Sequence, residues 1–405
     1  MSAGKPRVIL HIGQHKTGSK ALQSYLALNA AKLRERGIIY PLEASSKHHI
    51  SAYSNSHFQC YVLARHEAML ACDENAAADQ FWSEYGHYCT PYTTLDQVLH
   101  AFETKRMHAG GRTIVISAED LFDMQSAHDV YFSQDWVSHA AQAFHNCAHR
   151  LGWEPEIAVY LRRPDHLLNA HYAQFIKGSA NNTLDFETFA KDFKPRLNSL
   201  GILKIWAAVF SPARLHVRPY EREALPDGIV PDFFEHLLGF LPEHDWTHVP
   251  NNLESSNITP GRAYIDLMRE INIQMDKNHL APARAAVLQS AFAYRSKNDS
   301  AANWLSPVAR YRLLNQYRKD YQEISENYRK PAHHEFFKEE WPQASEDATI
   351  KPDALGAERI IGLMQSAREY EQNQCRHKLI KTALKIALVV SAIFIGILFI
   401  ALYQH

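Results

Sequence analysis

The sequence predicts an α/β fold, a parallel sheet flanked by helices, followed by a C-terminal transmembrane helix. Three features predict it. Short apolar runs at 8–12, 113–117, 157–161 and 214–218 are separated by helical patterns, the alternation of a parallel sheet. A glycine-bearing turn, HIGQHKTGSK at 11–20, joins the first run to the first helical pattern. Residues 386–403 read IALVVSAIFIGILFIALY, an uncharged stretch that matches a bilayer core of about 30 Å. Composition agrees, since 405 residues with 46% hydrophobic and 21% charged side chains describe a globular chain, not a disordered or collagen-like one.

The strand at 8–12 leads through the turn into a helix over 20–36, with Leu22, Tyr25, Leu26, Leu28 and Leu33 as apolar positions and Gly37 closing it. Residues 40–110 are aromatic-rich and show no clear period, which suits a lid or substrate-binding insertion. Tyr53, Phe58, Tyr61, Phe81, Trp82, Tyr85, Tyr88 and Tyr92 lie there and fit sugar stacking and core packing equally well. From 258 to 330 the pattern is helical, and 331–355 is polar and proline-bearing. The expected organisation is an α/β domain over 1–330, a polar and helical linker over 331–376 and an anchor over 377–405.

Lys plus Arg number 43 and Asp plus Glu 44, a formal charge of −1, so no global field draws the chain to nucleic acid and any anion site is local. The five cysteines, Cys60, Cys72, Cys89, Cys147 and Cys375, are odd in number and widely spaced, which fits a reducing compartment. The N-terminal apolar run is too short for a signal peptide. Arg376, Lys378, Lys381 and Lys385 precede the C-terminal run and only Gln404 and His405 follow it, so the positive-inside rule predicts a single-pass, tail-anchored membrane protein with a cytoplasmic body.

A glycine turn between strand and helix exposes backbone N–H groups at the positive end of the helix dipole, a design that binds phosphate or sulfate oxygens. Gly13 and Gly18 have Walker A spacing, but Ser19 stands where that motif requires lysine, and the lysine comes earlier, at Lys16. HIGQHKTGSKALQSYL resembles the 5′-phosphosulfate loop of sulfotransferases that use 3′-phosphoadenosine 5′-phosphosulfate (PAPS), where Lys-Thr-Gly-Thr/Ser is typical. YLRRPDHLLNAHY at 160–172 resembles the family's 3′-phosphate element, with pattern Arg-x7-Ser; Arg162 matches, whereas Ala170 replaces the serine. RGIIYP at 36–41, VISAEDLF at 115–122, VRPYE at 217–221 and NNLESSNITP at 251–260 echo the bacterial carbohydrate-type members in the expected order, over roughly 7–330.

The resemblance implies a P-loop-like fold and PAPS as co-substrate, with no metal. His15, Lys16, Thr17, Gly18, Ser19 and Lys20 would hold the 5′-phosphate, and Arg162, with the Ala170 position, the 3′-phosphate. Lys16 would stabilise charge on the leaving oxygen. The acceptor's proton needs a base: His49 is the first candidate, His48 its neighbour and Glu43 the carboxylate alternative. Glu119 and Asp120 either position the acceptor or cap a helix. His145 and His149, four residues apart, share a helix face with Cys147 between them in sequence, but no further ligand stands at fixed spacing, so they read as structural. The expected activity is sulfuryl transfer to a hydroxyl of a carbohydrate or lipid-linked acceptor at the membrane. The rivals are a P-loop nucleotide kinase or NTPase, and a catalytically degenerate scaffold of the same fold.

Overall fold

The computed structural model describes residues 4–42, 57–125, 131–179, 181–248, 261–274, 284, 303–329 and 335–342. Five parallel strands form one sheet: β1 (Arg7–His11), β2 (Ile38–Ile39), β3 (Thr113–Ser117), β4 (Glu154–Leu161) and β5 (Leu215–Pro219), in the order β2-β3-β1-β4-β5. β1 is central, with Ile9 beside Val115 of β3 and Leu10 beside Ile157 of β4. Val8, Ile9 and Leu10 are all buried, as a strand covered on both faces requires.

The helices are α1 (Ser19–Leu28), α2 (Ala30–Glu35), α3 (Phe58–Ala71), α4 (Asn75–Tyr85), α5 (Leu95–His108), α6 (Gln134–Arg150), α7 (Pro164–Gly178), α8 (Phe186–Phe193), α9 (Ser199–Phe210), α10 (Ile229–Phe233), α11 (Arg262–Gln274), α12 (Pro307–Gln316) and α13 (Arg318–Asn327). Leu22, Tyr25 and Leu26 of α1 and Phe233 of α10 pack with Ile9, Val115, Ala158 and Tyr160. The last four alternate along their strands and so share one sheet face. On the rest of the sheet α5 packs on β3, and α6 and α9 on β4.

One expectation changes. The helix expected over 20–36 is two helices, because Asn29 turns its amide back to Tyr25 C=O (3.0 Å) and clamps Thr247 through both C=O (2.9 Å) and N–H (2.8 Å). Within 40–110, where the sequence shows no clear period, lie α3, α4 and α5. Cys60, Tyr61, Val62, Leu63 and Ala64 of α3 are all fully buried, so the first half of this helix shows no period to read. Phe58, Tyr61, Phe81, Tyr85 and Tyr88 make ring contacts with one another, the packing alternative of the two left open above.

The chain divides into two compact units. The larger comprises 1–175, 184–258 and 303–350 and contains the sheet. The smaller comprises 176–183, 259–302 and 351–405. Within it the Asn272 amide of α11 donates to Asn182 C=O at 2.8 Å and Arg269 to Thr183 C=O at 2.9 Å. No helix among the described residues is long and apolar enough to cross a membrane, and the run at 386–403 lies outside them.

Candidate anion-binding site

The chain leaves β1 toward β2 and β3 but leaves β4 toward β5, so the loops after β1 and β4 diverge and open a crevice at the carboxyl ends of two adjacent strands. Two of the segments singled out in the sequence meet there. The loop after β1 turns through three left-handed residues, Gly13 (φ 59°), Lys16 (φ 67°) and Gly18 (φ 77°). Glycine is required at the first and third. A Cβ on Gly13 would sit 2.8 Å from Glu119 Cα, and one on Gly18 would sit 3.1 Å from the Tyr220 ring.

The loop is braced from inside. Thr17 Oγ1 donates to Gln14 C=O at 2.5 Å, Gln14 Nε2 donates to Ser199 Oγ at 3.2 Å, and the His15 ring meets Gln125 C=O at 2.8 Å with Asp120 Oδ1 3.6 Å away. Of the residues expected to hold phosphate, His15 and Thr17 therefore turn their side chains into the protein. Lys16 and Gly18 are half-buried and Lys20 is exposed. Ala21 N–H bonds Gly18 C=O at 3.0 Å, while helix geometry offers no intrahelical acceptor to the N–H of Ser19 and Lys20. Ser19 is 1% exposed, and its hydroxyl finds no partner among the described residues. A buried hydroxyl without a partner at a helix N-terminus is a donor available to an anion.

Arg162, one residue past β4, is tied to this loop twice. Its N–H donates to Gln14 Oε1 at 2.8 Å and its Nη1 to Lys16 C=O at 3.0 Å. Burial pulls its guanidinium below the usual range, with Tyr220, Asp165 and Glu339 opposing the shift. Lys16 Nζ reaches the other way, donating to Gln174 Oε1 at 2.7 Å. Burial, and after it the positive charges of Arg196, His15, Lys16 and Arg162, push His171 far below its ordinary value, so it is neutral at pH 7. Burial drives Asp120 the opposite way, well above the usual carboxylate range, against the attraction of His15.

Beyond Arg162 opens a cavity of about 590 Å³, lined among others by Arg163, His166, Tyr220, Glu221, Arg222 and Glu339. Arg163 is 2% exposed and holds fully buried Asp165 through both oxygens, at 2.8 and 3.0 Å, while Arg310 adds a third bond at 2.7 Å. Ala170 is buried on α7 and brings no hydroxyl. Glu43, His48 and His49 lie outside the described residues. The sequence reading gave no role to Gln14 and Tyr220, although both lie in quoted segments, or to Gln174, since their contacts arise only from the fold. No family model, curated protein or solved structure matches this chain.

Proposed function

We propose that the protein is a sulfotransferase of P-loop-like fold that moves a sulfuryl group from PAPS to a hydroxyl of a carbohydrate or lipid-linked acceptor. The observation that carries this reading is the junction of the loop at 13–20 with Arg162, which joins the exposed N–H groups at the start of α1, the Lys16 backbone and a half-buried arginine. A donor with phosphates at both ends of one nucleoside calls for two such anion sites a short distance apart. In the transfer the acceptor oxygen bonds to sulfur as the bond from sulfur to the 5′-phosphate oxygen breaks, and the acceptor proton passes to a base. The N–H groups of Ser19 and Lys20 and the Ser19 hydroxyl would hold the 5′-phosphate, Lys16 would leave Gln174 to neutralise the leaving oxygen, and Arg162 would hold the 3′-phosphate. His49, His48 and Glu43 remain the proposed bases. The run at 386–403 would form the transmembrane helix, keeping the body on the cytoplasmic face where a lipid-linked glycan is presented.

One observation favours the metal-dependent nucleotide rival: carboxylate oxygens of Glu221, Glu223 and Glu339 lie within 4.8 Å of one another on the cavity wall. Thermal shift of the full chain in detergent separates the two. Adenosine 3′,5′-bisphosphate without metal is expected to raise the melting temperature, by mass action on the folded state. A shift with ATP and Mg²⁺ alone would replace this proposal by the kinase reading, and no shift with either would favour the scaffold.

A further inference from the structure

The cavity beyond Arg162 is self-neutralised, which an anion site should not be. Its acidic members are not alike. Glu221 is buried and spends both oxygens on backbone, accepting from the N–H of Lys338 at 2.6 Å and of Glu339 at 3.1 Å. Glu223 is exposed. Glu339 instead places Oε1 3.0 Å from Arg163 Nη2 and 3.2 Å from His166 Nε2, where it does the work of a bound anion. Arg163 does not depend on it, because Asp165 already satisfies that guanidinium from the buried side.

Glu339 is carried by a strap, residues 335–342, fixed at its two ends. At one end Phe336 and Phe337 are buried against Tyr321, with ring centroids 5.7 and 4.9 Å away, and Arg329 holds the C=O of Glu335 at 2.8 Å. At the other, Trp341 meets the Tyr311 ring at 5.9 Å and lies under the Arg318 guanidinium at 4.3 Å. Apolar and cation–π contacts of this kind do not depend on what occupies the cavity. The backbone of the middle is held by Glu221, as above, and by Arg163 Nη1, which reaches the C=O of Glu339 and Glu340 at 3.3 and 3.2 Å. The Glu339 carboxylate contacts are thus the ones an incoming anion can compete with.

We propose that Glu339 is a built-in counter-ion: a phosphate-bearing ligand entering the cavity displaces its carboxylate from Arg163 and His166. This rests on the anion-site reading above and concerns the regulation of that site. Occupied and empty states would then differ in where the Glu339 side chain lies, with the strap backbone staying in place on Glu221.

The test uses the full chain and two probes, adenosine 3′,5′-bisphosphate and inorganic pyrophosphate, by isothermal titration calorimetry. Glu339→Gln is expected to bind both about tenfold more tightly than the parent, because a competing charge is removed, and the gain should shrink at high salt. Glu340→Gln, a neighbouring exposed carboxylate that faces no such pair, is expected to match the parent and serves as the control for general charge removal. Equal affinities of parent and Glu339→Gln would overturn the counter-ion while leaving the anion site standing. An equal gain in Glu340→Gln, or weaker binding in Glu339→Gln as a metal ligand would give, would also overturn it. Binding of neither probe by parent or variant would overturn the anion site and the counter-ion together. Glu339→Asp supports the first variant if that one folds poorly: the charge is kept but its reach is shortened, and an intermediate gain is expected.

Discussion

Ala170 is the residue at which this chain departs from the pattern it resembles, and its surroundings make the departure testable. It is buried in α7, whose first turn follows Arg162 by two residues. Next to it, Asn169 is committed elsewhere, donating to Asp165 C=O at 2.7 Å and to Asn303 Oδ1 at 3.0 Å, so it does not supply the missing hydroxyl's bond. Replacing Ala170 by serine adds a donor for little volume. A charge-assisted hydrogen bond contributes about 1.5 kcal/mol, so Ala170→Ser is expected to tighten adenosine 3′,5′-bisphosphate binding by about tenfold in calorimetry. Unchanged affinity would mean that this position does not face the 3′-phosphate. At this scale the sequence was informative wherever chemistry needs a special residue type. Lys16 and Arg162 were both singled out in the sequence, and Arg162 Nη1 donates to Lys16 C=O. Gln14, which ties Arg162 to the loop, was not singled out, because its role exists only once β1 and β4 are neighbours.

Among the elements, strands were legible and the helices between β2 and β3 were not. Buried strands announce themselves as short apolar runs, but β2 is two residues long and five successive residues of α3, Cys60 to Ala64, are fully buried, so neither carries a period. The strands are also tied by charge at their amino ends. Glu156 of β4 accepts from Arg7 of β1 at 2.9 and 2.7 Å and meets His216 of β5 at 3.0 Å. Burial alone would raise this carboxyl, but the bonds from His216 and Arg7 outweigh it and hold the group near 2 instead of 4.5. The folded chain therefore keeps Glu156 ionised where an unfolded one protonates it. Its contribution is whole above about pH 4.5 and is lost as pH falls through 2. Glu156→Gln is expected to remove about 1–2 kcal/mol of stability at pH 7, allowing for partial solvent screening, and to flatten the acid limb of the stability curve. Urea melts from pH 7 to 3 measure both; parallel curves for parent and variant would exclude the ion trio as the cause.

For the whole molecule, the proposal joins a nucleotide crevice to an apolar C-terminal run, and the two are separable by experiment. Ile395 and Leu398 lie in the middle of 386–403. Lysine at both positions costs about 2.5–3.5 kcal/mol each in a membrane-centred helix. The doubly substituted full chain is expected to move to the soluble fraction on alkaline extraction, with its bisphosphate affinity unchanged. Retention of both chains in the membrane pellet would detach membrane association from this run.

Lys16, finally, occupies a backbone conformation that glycine adopts freely and that costs other L-residues about 1–2 kcal/mol. Folding would be better served by glycine there, and only the ammonium group argues for lysine. Any selection for thermal robustness alone, in evolution or on the bench, thus presses first on the position that the proposed chemistry could least spare, and under that proposal a heat-hardened descendant would lose its activity before its fold.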